Sequence, residues 1–157
     1  IERLQMKNLS VLNPLDYSEA KSSLISFEKN DILVGAMRVY FHRVNIAPSP
    51  GVTRTTTFVL RPKKEHMQAY ATFLLHQAST IAYANTRSKG TTMPYAIWDN
   101  GLGDMLIKLP PEERLHEYQK HVWPMIEIIR DSYVQIQTLT TLRDTLLPRL
   151  ISGKIKI

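Results

Sequence analysis

The 157-residue sequence lacks cysteine, long apolar runs and any complete catalytic motif. Without cysteine, neither a disulfide framework nor a Cys-ligated zinc site is possible within these residues, and an intracellular setting is permitted. No apolar run approaches the roughly 18 residues that a membrane span requires, and we expect no signal peptide. The sequence therefore predicts a cytoplasmic protein with no membrane partner.

Two partial motifs fail on their spacing. His116-Glu117 followed by His121 is one residue longer than the HExxH zinc motif, which places the two imidazoles about 140° apart around a helix. Ser152-Gly153-Lys154 resembles the end of a phosphate-binding loop, but proline stands at position 148, where that loop needs glycine. We therefore predict no catalytic residue, no metal site and no cofactor, and a protein that is not an enzyme.

Positive charge is concentrated in one segment of the chain. The whole sequence has a net charge of +6, whereas residues 29–92 contain nine Lys and Arg residues and only two acids, Asp31 and Glu65. A concentrated basic field attracts a phosphate backbone through Coulomb attraction and counterion release. Charge alone leaves nucleic-acid binding and a merely solvated basic surface equally open.

Hydrophobic patterning predicts an α+β fold, that is, an α/β mixture of strands and helices. Residues 31–47 alternate as in one or two strands, residues 48–51 predict a turn, and residues 55–61 predict another strand. Residues 65–84 predict one helix of about five turns, and residues 105–109 a short final strand. The predicted buried face of the helix consists of Met67, Tyr70, Ala71, Leu74, Ala78, Ile81 and Ala82.

A long helix is predicted after Pro110-Pro111. Apolar residues recur there at alternating steps of three and four, except at Ser132, in a coiled-coil-type pattern that extends to Ile151. Pro124 should kink or restart the helix, and Pro148 and Gly153 should end it. The sequence thus predicts a globular domain at 1–110 and a helical domain at 111–157. The apolar stripe could pack back on its own domain, but pairing with another helix is favoured. The residues expected to face a partner helix are Met125, Ile129, Ile136, Leu139 and Leu146.

Basic clusters in the globular domain are candidate DNA contacts. Cations interleaved with aromatic residues suit phosphate contact and base stacking, although such aromatics also alternate between core and surface in any strand. Arginine at a loop tip can reach guanine and threonine can meet a thymine methyl, although the same hydroxyls could simply face water. The sequence does not show whether these loops converge. The predicted DNA contacts are Arg38, His42, Arg43, Arg54, Thr55, Arg87, Lys89 and Thr91.

Three stretches resemble the DNA specificity subunit of type I restriction-modification systems. The tail from Leu139 to Ile157, LTTLRDTLLPRLISGKIKI, resembles the end of a specificity half-repeat. FEKNDILVGAMRVYFHRVNIAP, residues 27–48, resembles the strand pair of the family, with Asn30 in place of the usual glycine. SKGTTMPYAIWDNGLGDMLIKLPP, residues 88–111, resembles the stretch that leads into the spacer helix.

The resemblance implies one target recognition domain followed by one spacer helix. Family members commonly carry two such units and begin each with a strand region ahead of what stands at Ile1, so we expect a half-length, N-terminally truncated form. In the family, each recognition domain reads half of a bipartite site in double-stranded DNA. The spacer helices pair antiparallel and dock the methyltransferase (modification) subunits, while a separate restriction or motor subunit cleaves. A homodimer through the C-terminal helix would restore two recognition domains.

Two other functions stay open. The chain could be an orphan interaction or dimerisation protein that does not bind DNA and competes for the methyltransferase subunit. An unrecognised nuclease would require metal-dependent cleavage, for which the sequence offers no ligand set. Binding to duplex DNA that weakens steeply with salt separates DNA recognition from the orphan function.

Overall fold

The computed structural model describes residues 4–11 and 23–153. The ends of both predicted domains, residues 1–3 and 154–157, and the polar stretch 12–22 lie outside the described residues. The fold is α+β with a long C-terminal helix, which confirms the predicted fold class. The strands are β1 (Leu24–Phe27), β2 (Ile32–Gly35), β3 (Val44–Ile46), β4 (Gly51–Arg54) and β5 (Thr57–Leu60), and the helices are α1 (Gln68–His76), α2 (Ala78–Thr86) and α3 (Glu112–Ile151). Single-turn 3-10 helices span Val39–Phe41, Glu65–Met67 and Leu102–Asp104.

Two small antiparallel sheets form the centre of the head, which we define as residues 4–11 and 23–110. One sheet pairs β1 with β4, and the other has the order β3-β2-β5. Every residue of β2 is buried, which explains why this strand is apolar throughout rather than alternating. Ile32 and Val34 pack into a cluster with Val44 and Ile81, while Leu33 packs on the opposite face with Ala47.

The single helix predicted over residues 65–84 is two helices with a break at Gln77, so the prediction of one continuous helix is wrong. α1 ends at His76, Gln77 is extended (φ −70°, ψ 139°), and α2 begins at Ala78. Side chains contact the backbone carbonyl groups at the break. The Thr80 hydroxyl donates to Leu74 O at 2.6 Å, and His42 Nε2 lies 2.9 Å from His76 O. The break also changes the buried face. Ile81 is buried as predicted, whereas Ala78 and Ala82 are exposed and Ala69, Thr72, Thr80 and Ala84 are buried instead.

The strand predictions were partly right. Residues 31–47 contain β2 and β3, and β5 lies within the predicted strand at 55–61. Two short strands were missed, namely β1 and β4, the second of which starts in the predicted turn. The strand predicted at 105–109 does not form: these residues have no strand partner among the described residues, and Leu106 is almost fully exposed. An apolar run alone does not make a strand when no sheet edge is beside it.

α3 runs without interruption through both Pro124 and Pro148, so neither proline restarts or ends it. The helix ends beyond Ile151, where Gly153 adopts a left-handed φ of 69°, as expected of a C-terminal glycine. At 1.5 Å per residue, 40 residues make a rod about 60 Å long. None of the described helices is both long and apolar enough to cross a membrane.

One face of α3 packs on the head along the first two-thirds of the helix. Ile126 is buried in a cluster with Ile46 and Ala69, and Gln119 Oε1 accepts a hydrogen bond from the Ala69 N–H at 2.8 Å. Farther along, Gln137 Nε2 donates to Val11 O at 3.0 Å. Residues 138–151 are all exposed, so roughly 20 Å of helix extends beyond the head.

Candidate nucleic-acid interface

Four segments from different parts of the head lie side by side and form what we call the basic ladder. In spatial order they are residues 54–56, 36–38, 94–96 and 88–90. The Ala36 N–H donates to Thr56 O, the Ala96 N–H donates to Ala36 O, both at 2.9 Å, and Lys89 and Tyr95 exchange two backbone hydrogen bonds of 2.9 Å. With strands about 4.8 Å apart, the outer two segments are separated by roughly 14 Å.

The basic ladder brings together predicted contacts from three separate stretches of sequence. Arg54 and Thr55 lie at its first segment, Arg38 at the second and Lys89 at the last. Arg87 follows the end of α2, two residues before Lys89. Arg54, Thr55, Arg87, Lys89 and Thr91 are exposed, whereas Arg38, His42 and Arg43 are half-buried.

The backbone around Arg38 is held in a sparsely populated conformation. Arg38 (φ 49°) and His42 (φ 52°) are both left-handed and flank the single 3-10 turn Val39–Phe41. For residues other than glycine this conformation costs about 1–2 kcal/mol each. The surroundings impose it, because the Arg38 N–H donates to Pro94 O at 2.7 Å and the Lys7 N–H donates to His42 O at 2.8 Å. Such strain clusters at functional sites, and here it presents Tyr40 at the surface.

Aromatic rings support two of the arginines. The Arg87 guanidinium carbon lies 3.7 Å from the centre of the Tyr83 ring, and that of Arg43 lies 4.8 Å from the Phe41 ring centre. Cation–π contacts of this kind hold the guanidinium in place without neutralising its charge. Both arginines therefore remain able to attract an anion.

The predicted contact His42 is engaged inside the fold. Its ring packs against that of His76 with centroids 4.6 Å apart, and its Nε2 lies 2.9 Å from the His76 carbonyl. Burial and the neighbouring His42 ring hold the pKa of His76 below its ordinary value. These contacts tie the 3-10 turn to the break between α1 and α2, so His42 has a clear structural role.

The cations of this region have no acidic partner in the part of the chain that the structure describes. Within residues 4–11 and 23–153, none of Arg38, Arg43, Arg54, Arg87 or Lys89 forms an ion pair. Elsewhere in the described chain some cations lie within 4.0 Å of a carboxylate, namely Arg61, Lys64, Arg114, Arg130 and Arg143, and others, such as Lys63, do not. Unpaired cations on a shared surface produce a positive field that can recruit phosphate.

A second exposed surface runs along α3. The predicted interface residues Met125, Ile129, Ile136, Leu139 and Leu146 are 41–64% exposed. At 100° per residue, they occupy a face about 100° away from the one that contacts the head. The helix thus has two apolar faces, of which the head covers one.

Part of the chain is similar to a protein of named function. Over 69 residues it is 35% identical to the type I restriction enzyme MjaIX specificity subunit of Methanocaldococcus jannaschii, a match covering 44% of this chain and 16% of that protein. The matched part thus spans about a sixth of the relative's length. No protein-family model matches the chain.

Sequence reasoning missed Tyr95, which lies at the centre of the basic ladder. Tyr95 forms bridges to both Lys89 and Met37, and its side chain is 47% exposed. A base can stack on an exposed aromatic ring, so Tyr95 joins the candidate contacts. No periodicity could have indicated it, because these bridges are isolated and link residues up to 58 positions apart.

Proposed function

We propose that this chain is a DNA recognition unit of the type I specificity-subunit kind, with one target recognition domain (within 1–110) and one spacer helix (111–157). The observation that carries the proposal is the 35% identity over 69 residues to a type I restriction enzyme specificity subunit. In this proposal the chain catalyses nothing. It reads half of a bipartite site in double-stranded DNA.

The basic ladder supplies the proposed reading surface. Its exposed cations carry no counter-charge among the described residues, and its width of roughly 14 Å is comparable with the roughly 12 Å major groove of B-DNA. Arg54 and Thr55 at a loop tip would read base edges, while Arg87 and Lys89 would contact phosphates. Arg38, His42 and Arg43 would act mainly by shaping this surface, because they are half-buried.

The free face of α3 supplies the proposed assembly surface. A helix extending roughly 20 Å beyond its own domain with an apolar face in water requires a partner. We propose that this face pairs with the helix of a second copy and docks the methyltransferase subunit. The restriction or motor subunit would join only in the complete complex.

Selection on random duplex DNA tests the DNA-recognition part of the proposal. The full chain, with and without the cognate methyltransferase subunit, would be incubated with the pool, and bound DNA sequenced. We expect enrichment of a short motif, and affinity that falls linearly on a log–log plot against salt concentration.

The orphan alternative makes the opposite prediction for DNA. It is favoured by the same free face of α3, which could serve assembly without any DNA contact. Capture of the methyltransferase subunit with no duplex binding at low salt would support it and contradict DNA recognition.

A further inference from the structure

A cluster of potential metal ligands lies at the joint between the head and α3, away from the basic ladder. His66 belongs to the 3-10 turn before α1, and Glu112 and His116 belong to the first turns of α3. One ligand atom from each of these three side chains lies within 4.8 Å of the others. No sequence pattern connects His66 with the helix, because 46 residues separate it from Glu112.

The spacing on α3 is the one that metal binding requires. Residues four apart lie on the same helix face, so Glu112 and His116 project together, unlike His116 and His121. The rings of His66 and His116 are already in contact, with centroids 4.0 Å apart and an interplanar angle of 30°. The cluster therefore combines two imidazoles and one carboxylate from two elements of the fold.

The distances are close to those of a tetrahedral site. Two ligand atoms about 2.05 Å from a tetrahedral zinc ion lie about 3.3 Å from each other. His66 Nε2 and Glu112 Oε1 are 3.4 Å apart, so this pair already has the required separation. His116 would need a side-chain movement of about 1.5 Å or less, which an exposed residue on a helix can make.

His66 has an unsatisfied nitrogen at this point. Its side chain is only 14% exposed, and its Nε2 is buried and forms no hydrogen bond within the described part of the chain, because Glu112 Oε1, at 3.4 Å, approaches it without hydrogen-bond geometry. A buried nitrogen without a hydrogen-bond partner destabilises the fold, and a metal ion would use its lone pair. The ammonium of Lys64, 2.8 Å from Glu112 Oε1, is the competing cation.

We propose that His66, Glu112 and His116 bind a divalent transition-metal ion of the zinc type, with water as the fourth ligand. Neutral imidazoles with one carboxylate suit Zn²⁺ better than Mg²⁺ or Ca²⁺, which prefer oxygen ligands. The ion would join the segment before α1 to the start of α3 and so fix the helix on the head. This inference does not depend on DNA binding.

Metal titration of the full chain, prepared without a polyhistidine tag, tests the proposal. Calorimetry and equilibrium dialysis with Zn²⁺, and absorption spectroscopy with Co²⁺, would be applied to wild type, H116A and H121A. We expect one ion per chain in wild type and in H121A, and binding weakened about tenfold or more in H116A. His121 is a matched control, because it is an exposed histidine on the same helix outside the cluster.

Two further measurements separate metal binding from folding. Zn²⁺ should raise the thermal midpoint of wild type and of H121A clearly more than that of H116A, whose helix content is checked by circular dichroism. K64Q, which removes the competing ammonium, should bind Zn²⁺ more tightly than wild type. Equal affinity of H116A and H121A, or no stoichiometric binding by wild type, would overturn the proposal.

Discussion

The turn at residues 28–31 shows how two adjacent side chains position both the central strand and the long helix. The Asp31 carboxylate accepts hydrogen bonds from the Glu28 N–H at 2.8 Å and from Arg61 at 2.6 and 2.8 Å, which anchors the start of β2. Asn30 adopts a left-handed φ of 74°, and its Oδ1 accepts a hydrogen bond of 2.6 Å from buried Arg130 of α3. Asn30 therefore combines a backbone conformation that suits glycine with a side-chain contact that glycine lacks.

Substitutions of Asn30 separate these two roles. N30G keeps the left-handed backbone but loses the bond to the Arg130 guanidinium, and should lower the free energy of unfolding by about 1.5–3 kcal/mol. N30A loses the same bond and adds the left-handed strain of a side chain with a Cβ, which costs roughly 1 kcal/mol more. Urea denaturation of both variants measures the difference. Equal destabilisation by the two substitutions would show that backbone conformation is not limiting at this position.

Asp31 predicts a pH dependence of stability. Burial raises the pKa of this carboxyl, but the hydrogen bonds from Arg61 and the Glu28 N–H outweigh it, so the pKa lies below its ordinary value. A carboxyl with a lowered folded-state pKa contributes stability above its unfolded pKa of about 3.9, and loses it as the pH falls through the folded value. D31N should therefore be about 2 kcal/mol less stable than wild type at pH 7, and this difference should shrink below about pH 4.

Thermal unfolding of wild type and D31N between pH 7 and pH 2.5 measures this effect. E28Q is a suitable control, because Glu28 also pairs with Arg61, at 3.0 Å, but is exposed. Exposed ion pairs contribute little, so E28Q should stay close to wild type at every pH. A D31N deficit of constant size over this range would contradict the assigned role of the Asp31 charge.

At the level of elements, long hydrophobic patterns predicted the structure better than short ones did. Pro110-Pro111 indicated where α3 begins and Gly153 where it ends, and the long apolar pattern between them indicated a helix. The two internal prolines do not interrupt this helix. The break at Gln77 could not be predicted from helical spacing, and one of the side chains that contact it, His42, lies 34 residues from His76 in the sequence. β1 and β4 were missed because each has only four residues and pairs with the other, so neither carries a strong local signal.

The free face of α3 predicts self-association that charged residues should abolish. The I129D/I136D variant removes two apolar side chains from a paired helix face and places charges there, which should weaken a dimer by about 3 kcal/mol or more, roughly 100-fold. V134D is a matched control: Val134 is 46% exposed but lies about 180° around the helix from the stripe. Sedimentation velocity should show monomers for I129D/I136D and dimers for V134D. An unchanged sedimentation coefficient for I129D/I136D would rule out pairing through this face.

For the whole molecule, the three-stranded sheet separates the cations of the basic ladder from Lys63. The basic ladder adjoins the Gly35 end of β2, where Gly35 pairs with Thr57. Lys63 follows the other end of β5, where Leu60 pairs with Ile32. The charge count placed Lys63 and the cations of the basic ladder in the same basic segment. Their separation in space depends on backbone pairing between distant segments, which a charge count does not detect. The sequence could therefore indicate which residues are basic, but not which of them share a surface.

This separation yields a prediction about the salt dependence of DNA binding. Each phosphate contact contributes about −0.9 to the slope of log affinity against log salt. If Arg87 and Lys89 contact phosphates, R87Q/K89Q should make the slope shallower by about 1.8 and weaken binding to all duplexes alike. K63Q removes a cation from the other end of the sheet and should leave the slope unchanged. Fluorescence anisotropy between 50 and 200 mM salt measures DNA binding by wild type, R87Q/K89Q and K63Q. If K63Q changed the slope as much as R87Q/K89Q does, the positive charge would act over the whole molecule rather than through this surface.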